Sequence, residues 1–359
     1  MAPAVKLSRS ATDTKASHAA RRSRCRAMHA ILASITAFRA LPASTGRRQT
    51  PDMTNRPTPS HLSRRSLLTI GGLTTAGAAA AAFSAPPAFA APSAPAVGGH
   101  RRLTEAIAEL ERATSVTIGV TALWHDSRRA FRYRGDERFP MCSLFKSFAA
   151  GALVQARGYD EEYWTTPIPF TDADVVGKET KLNRDTWQAT PEELADAAIR
   201  YSDNTAGNLL LRELGGPQAV TTFARSLGAT RTRLDRPEPQ VNEATPGDER
   251  DTSTPDDIAF LLQLLLIDQG AGALTTARLQ EWMLRNTTSG KRILAGLTPP
   301  FELADKTGLG GYGVVNDAGV IWRPGEEALT LAILTRTDRT DAPSNHDVLA
   351  DVTRLIVAA

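Results

Sequence analysis

The chain has 359 residues, 42% of them hydrophobic and 23% charged, which is enough for a buried core and excludes collagen-like and disordered classes. Of 42 Lys+Arg and 39 Asp+Glu, residues 1–90 hold 13 and 2, so that stretch carries +11 and the remainder −8. The excess of positive charge therefore belongs to the N-terminal stretch and does not argue for a nucleic-acid or membrane partner.

Residues 1–59 are rich in Arg, Ala, Ser and Thr and lack sustained periodicity. Met53 would begin a signal peptide of ordinary length, which leaves residues 1–52 as either an over-extended reading frame or a transit peptide. Ser63-Arg64-Arg65-Ser66-Leu67-Leu68 then opens an uncharged run to Phe83 that ends at Ala88-Phe89-Ala90. An arginine pair, a weakly apolar run and a small-x-small site make the pattern of a twin-arginine export signal. A transmembrane helix needs about 20 strongly apolar residues, more than this run offers, and no cysteine follows it for lipid attachment. The expectation is an N-terminal extension and signal over 1–90 and a secreted, monomeric catalytic domain over 91–359. Cys25 and Cys142 fall on opposite sides of that boundary, so the mature chain has no intrachain disulfide and no Cys/His metal cage.

Within the mature chain, residues 103–113 have helical spacing, 116–123 alternate as a strand, and 130–133 form a short partner strand. Helical periodicity then dominates: 145–155, 191–199, 205–214, 217–227, 255–267 and 275–284, three of these beginning at proline. Strand patterns return at 301–306, 313–322 and 329–335, and 345–357 closes as an amphipathic helix. The predicted fold is α+β: an antiparallel sheet flanked by helices, from about 91–137 and 287–359, beside an all-helical half over about 138–286, with a cleft between them.

Three short motifs carry chemistry. Ser143 and Lys146 stand three apart at a helix start, on one face, and a desolvated lysine can take the proton that makes a serine hydroxyl nucleophilic. That spacing also arises often by chance. Ser202-Asp203-Asn204 interrupts a helical pattern; its ordinary reading is an N-cap for the helix near Thr205. Asp305-Lys306-Thr307-Gly308 ends a strand, and its ordinary reading is a turn. Lysine usage adds weight, because only five of the 29 basic residues after Ala90 are Lys and two of them, Lys146 and Lys306, lie in these motifs.

In this order the motifs Ser143-x-x-Lys146, Ser202-Asp203-Asn204 and Lys306-Thr307-Gly308 resemble those of serine β-lactamases and penicillin-binding proteins. The segment Asp235-Arg236-Pro237-Glu238-Pro239-Gln240-Val241-Asn242-Glu243 is similar to the Ω-loop of class A β-lactamases of actinobacterial type. The resemblance covers the whole mature chain, including Ala198-Ile199-Arg200 and Asn286-Thr287-Thr288. It implies the β-lactamase/transpeptidase fold, a β-lactam substrate, penicillins first and cephalosporins second, and no cofactor or metal.

Carried over by position, the resemblance makes Ser143 the nucleophile, and Lys146, or Glu238 through a water, its activating base. Glu238 and Asn242 would hold the hydrolytic water. Ser202, assisted by Lys306, would protonate the departing nitrogen. Asn204 would bind the substrate's side-chain amide. Thr307, Lys306 and Arg292 would meet its carboxylate next to Gly308, and the N–H groups of Ser143 and Leu309 would form the oxyanion hole. Arg236 and Asp251 would close the Ω-loop; the plain alternative for Arg236 is a surface ion pair, worth at most about 1 kcal/mol.

Three positions depart from the family pattern: Leu309 where a small or hydroxylated residue is usual, Leu144 where Thr is usual, and Gly177 where an aromatic side chain normally walls the cleft. Cys142 reads as a packing thiol. His100, His125 and His346 make no ligand pair, which disfavours a zinc lactamase. The competing functions are a D,D-peptidase, which would lack the Ω-loop glutamate, and a non-hydrolytic β-lactam binder, which would need a membrane segment or signalling domain.

Overall fold

The structure is a computed structural model that describes residues 97–359; the expected export signal and cleavage site lie outside the described residues. Helix α1 (Val97–Thr114) leads into strands β1 (Thr117–Trp124) and β2 (Ala130–Tyr133). A two-residue strand β3 (Phe139–Pro140) and a 3-10 turn (Cys142–Leu144) run straight into α2 (Phe145–Arg157). Next come α3 (Glu161–Thr165), short strands β4 (Ile168–Pro169) and β5 (Gln188–Ala189), and helices α4 (Pro191–Arg200), α5 (Asn204–Leu214) and α6 (Gln218–Ser226). After a long loop come the short strand β6 (Thr252–Ser253), helices α7 (Pro255–Leu266) and α8 (Ala273–Met283), and the single turn α9 (Ile293–Gly296). Strands β7 (Glu302–Leu309), β8 (Val315–Trp322) and β9 (Leu329–Arg336) then precede the closing helix α10 (Asp347–Val357). Among the described residues no helix is long and apolar enough to cross a membrane.

The five main strands form one antiparallel sheet in the order β2-β1-β9-β8-β7, so chain segments from both ends pair along β1 and β9. The pleat sorts the core. Leu329, Leu331 and Ile333 of β9 face a cluster with Leu103 and Ile107 of α1 and Val348, Val352 and Ile356 of α10. Ala332 and Leu334 face the other way, into the cluster that fills the helical half, as a period of two requires. Ala332 pairs with Ala318 across β8 and β9, and Ala304 stands on β7. Small side chains on that face let helices lie close to the sheet. Both faces are covered, which explains why β1 is buried along its centre rather than alternating.

The proline-led helices differ in detail. Thr190 caps α4 in a reciprocal box with Glu193, and Thr254 caps α7, each with proline in the first turn. Pro217 instead stands just outside α6. The strand bearing Lys306 does not end there: it continues to Leu309, with Lys306, Thr307 and Gly308 paired to Ala318, Asp317 and Asn316. The turn reading of that motif is thereby corrected, since ladder pairing with β8 holds those residues extended.

Candidate active site

Helix α2 is buried from Phe145 to Val154, an apolar rod in the helical half whose first turn carries one amine. Lys146 is fully buried, and Gly207 of α5 makes room for it: a Cβ there would stand 2.7 Å from Lys146 Cε. Lys146 Nζ lies 2.9 Å from Ser143 Oγ, 2.9 Å from the Ser202 carbonyl and 2.7 Å from Asn204 Oδ1. It is also 2.8 Å from Glu238 Oε1. An ammonium with three N–H groups thus faces four acceptors. Burial pushes its pKa down, opposed by the charge of Glu238, so the amine is held closer to its basic form than a surface lysine.

Ser143 sits in the 3-10 turn, 6% exposed, and its hydroxyl donates to Glu238 Oε1 at 3.2 Å. The carboxylate is therefore within direct reach of the serine. Asn242 Nδ2 donates to the other oxygen of Glu238, and Asn208 clasps the Glu238 backbone, donating to its carbonyl at 2.9 Å and accepting from its N–H at 2.8 Å. The Glu238–Pro239 peptide is cis. The loop carrying these residues is tied at its base: Asp251, 1% exposed, accepts the N–H groups of Asp235 and Arg236 and pairs with the Arg236 guanidinium at 2.5 Å. The surface-pair alternative for Arg236 is excluded by the burial of that carboxylate.

The loop between α4 and α5 caps a helix and also brings Ser202 to Lys306. Asp203 caps α5 by accepting from Ala206 N at 2.8 Å. Ser202, at φ +58°, is held in the left-handed region, a conformation that costs on the order of 1 kcal/mol or more for a residue with a Cβ. Its hydroxyl accepts from Lys306 Nζ at 2.9 Å, so a strand and a helical loop meet through one hydrogen bond. Lys306 is fully buried and also donates to the Thr307 carbonyl at 2.9 Å. Burial, then the charges of Lys146 and Arg292, drive its pKa well below the usual lysine range.

Thr307 shares a 2.6 Å hydroxyl contact with Thr288, in the Asn286-Thr287-Thr288 stretch. Arg292 lies behind the strand, 6% exposed, with Nη1 donating to the carbonyls of Gly308 at 3.2 Å and Asn316 at 2.9 Å. Asn316 Nδ2 in turn donates to the Pro140 carbonyl at 2.8 Å, fixing β8 against the segment that leads to Ser143. Of the departures, Leu144 is buried in the helical core, Leu309 is 47% exposed, and Gly177 has φ +85° with open space where a Cβ would stand. Gly177 and Glu238 line one cavity of about 460 Å³. Cys142 is fully buried.

Ser143, Lys146, Ser202, Asn204, Glu238, Asn242 and Lys306 are thus joined by direct hydrogen bonds and an ion pair where edge strand β7 meets the helical half. Thr307 and Gly308 follow Lys306 on that strand, Arg292 supports Gly308 through its carbonyl, and Leu309 is exposed. Asn208, Asn316 and Thr288 also hold the site. Asn208 was detectable as the residue four beyond Asn204, on the same face of one helix; Asn316 lay in a strand pattern with nothing to single it out.

This fold and site define a hydrolase of β-lactamase/transpeptidase architecture. The chain matches the β-lactamase enzyme family over residues 102–359. It is 42% identical to a β-lactamase of Streptomyces albus G over 307 residues, 84% of this chain and 98% of that protein. The solved structure of the Streptomyces albus G β-lactamase matches with TM-score 0.69 and 41% identity, covering 72% of this chain and 98% of that one. A variant of the last common ancestor of Gram-negative bacteria β-lactamase class A matches with TM-score 0.68 and 42% identity, covering 72% and 97%. The chain belongs to the β-lactamase enzyme family, and its relatives and structural neighbours mark it as a class A β-lactamase.

Proposed function

We propose that the protein, exported and cleaved after Ala90, acts as a monomer that hydrolyses the amide of penicillins, and of cephalosporins as a second class, through an acyl-enzyme on Ser143, conferring resistance. The observation that carries this reading is Glu238 Oε1 at 3.2 Å from Ser143 Oγ and 2.8 Å from Lys146 Nζ. One carboxylate within reach of the nucleophile and its amine is what an ester-hydrolysing serine enzyme needs.

Ser143 Oγ attacks the lactam carbonyl carbon while its proton passes to Lys146 or to Glu238. Developing charge on the lactam oxygen is met by the N–H groups of Ser143 and Leu309. The C–N bond breaks as Ser202 relays to the nitrogen the proton that Ser143 lost, with Lys306 Nζ donating to the Ser202 hydroxyl at 2.9 Å and easing that transfer. Asn204 orients the substrate's side-chain amide, and Thr307 and Gly308, backed by Arg292, receive its carboxylate. Water then attacks the ester, losing its proton to Glu238. Asn242 Oδ1, a buried acceptor without a hydrogen-bond partner among the described residues, supports a water donating there.

Steady turnover of a chromogenic cephalosporin by the purified protein tests this reading. A stoichiometric burst without turnover would instead indicate a peptidase or a binder, and hydrolysis of a D-Ala-D-Ala peptide would distinguish those two.

A further inference from the structure

Arg292 uses its Nη1 on the carbonyls of Gly308 and Asn316, and its Nε donates to His346 Nδ1 at 3.2 Å. That last contact needs an unprotonated Nδ1. We propose that His346 is a positioning residue for substrate-carboxylate recognition: its neutral ring holds Arg292 beneath Gly308, and protonating the ring releases that hold, so anionic substrates bind more weakly in acid. This rests on the reading of Ser143 as nucleophile and Arg292 as the cation behind the carboxylate site.

The surroundings favour the neutral ring. His346 occupies the N-cap position of α10, where the helix dipole disfavours a cation. Partial burial, Arg292 and Lys291 all lower its pKa from the ordinary 6.5, and Asp347 alone opposes them. The carboxylates that face Arg292 are Asp317 and Asp305, on the sheet strands β8 and β7. A proton on Nδ1 would remove the acceptor and set an imidazolium against a guanidinium. The site's support would then loosen at Gly308 and leave the groups around Ser143 untouched, which separates binding from chemistry.

The test compares parent and His346→Gln, whose amide oxygen accepts without titrating. With benzylpenicillin, ionised throughout, the parent KM should rise about 5-fold from about pH 8 to about pH 5.5, the scale of one hydrogen bond. In His346→Gln the rise should stay below about 2-fold, while kcat keeps the parent's acid limb. An equal rise in both proteins, or none in the parent, overturns the inference. Ring titration by NMR, which needs no turnover, should find His346 below 6.5; a value at or above that overturns the contact. A parent that does not hydrolyse benzylpenicillin while its ring titrates low would sink the catalytic reading, and with it the substrate role of His346, leaving the contact intact.

Discussion

Lys146 Nζ and Glu238 Oε1 stand 2.8 Å apart, and neither side chain reaches solvent. Each charge is the main compensation for burying the other, since an unpaired ion in such a place costs several kcal/mol. The pair also joins the first turn of α2 to the Ω-like loop. Lys146→Ala and Glu238→Gln should therefore be non-additive in stability. In a double-mutant cycle by chemical denaturation, the double variant should be less destabilised than the sum by about 0.5–3 kcal/mol. Additivity within error would mean that Ser202 and Asn204, not Glu238, satisfy the ammonium.

The nucleophile has a simple chemical signature. No other hydroxyl among the described residues accepts from Lys146, so Ser143→Ala should abolish covalent labelling by penicillins. Intact-mass spectrometry of penicillin-treated protein reads this directly. A persistent adduct would move the nucleophile elsewhere.

Much of this site could be read in the sequence, for identifiable reasons. Proline and threonine mark the starts of α4 and α7 because capping is local chemistry, and helical periodicity located α2 to within two residues. Ser143, Lys146, Ser202 and Lys306 stand out because their three motifs, in that order, resemble those of serine β-lactamases, and the scarcity of lysine adds weight to two of them. The sequence did not show that Lys306, Thr307 and Gly308 remain in ladder register with β8, since pairing partners are long-range. Nor could it show that Arg292 lies behind the strand, or that Asn208 clasps Glu238. Those placements depend on packing between segments far apart in the chain. The paired dipeptides β3 and β6 are too short for any period to reveal.

The base of the Glu238 loop yields a mechanical prediction. Asp251 takes two backbone N–H groups and one guanidinium, so Asp251→Ala leaves three donors without their acceptor, at about 3 kcal/mol. Hydrogen exchange at Asp235 and Arg236 should accelerate, and hydrolysis of the acyl-enzyme should slow as Glu238 loses its support. Unchanged protection of those amides would show that Asn208 alone secures the loop.

Export supplies a prediction outside the described residues. Arg64 and Arg65 precede an uncharged, weakly apolar run, the feature a twin-arginine pathway reads. Replacing both by Lys should hold the precursor in the cytoplasm, and secreted parent protein should begin near Ala91. N-terminal sequencing of the secreted chain decides between this start and one upstream of Arg64, which would contradict the signal.

Deacylation is the sharpest test of the carboxylate. Glu238 lies between two prolines, its backbone clasped by Asn208 and its side chain shared by Ser143, Lys146 and Asn242. Hydrolysis of an ester on Ser143 needs a general base within hydrogen-bond reach of the attacking water, and among the residues around Ser143 this is the carboxylate so placed. In acylation Lys146, with its depressed pKa, can take the serine proton instead. Glu238→Ala should therefore still acylate with a good penicillin yet accumulate acyl-enzyme, with turnover lower by on the order of 100-fold or more. Stopped-flow traces should show a burst followed by a plateau, and intact mass should show the adduct persisting. Turnover at the parent rate would mean that another group activates the water, and that Glu238 serves Lys146 as a counter-ion only.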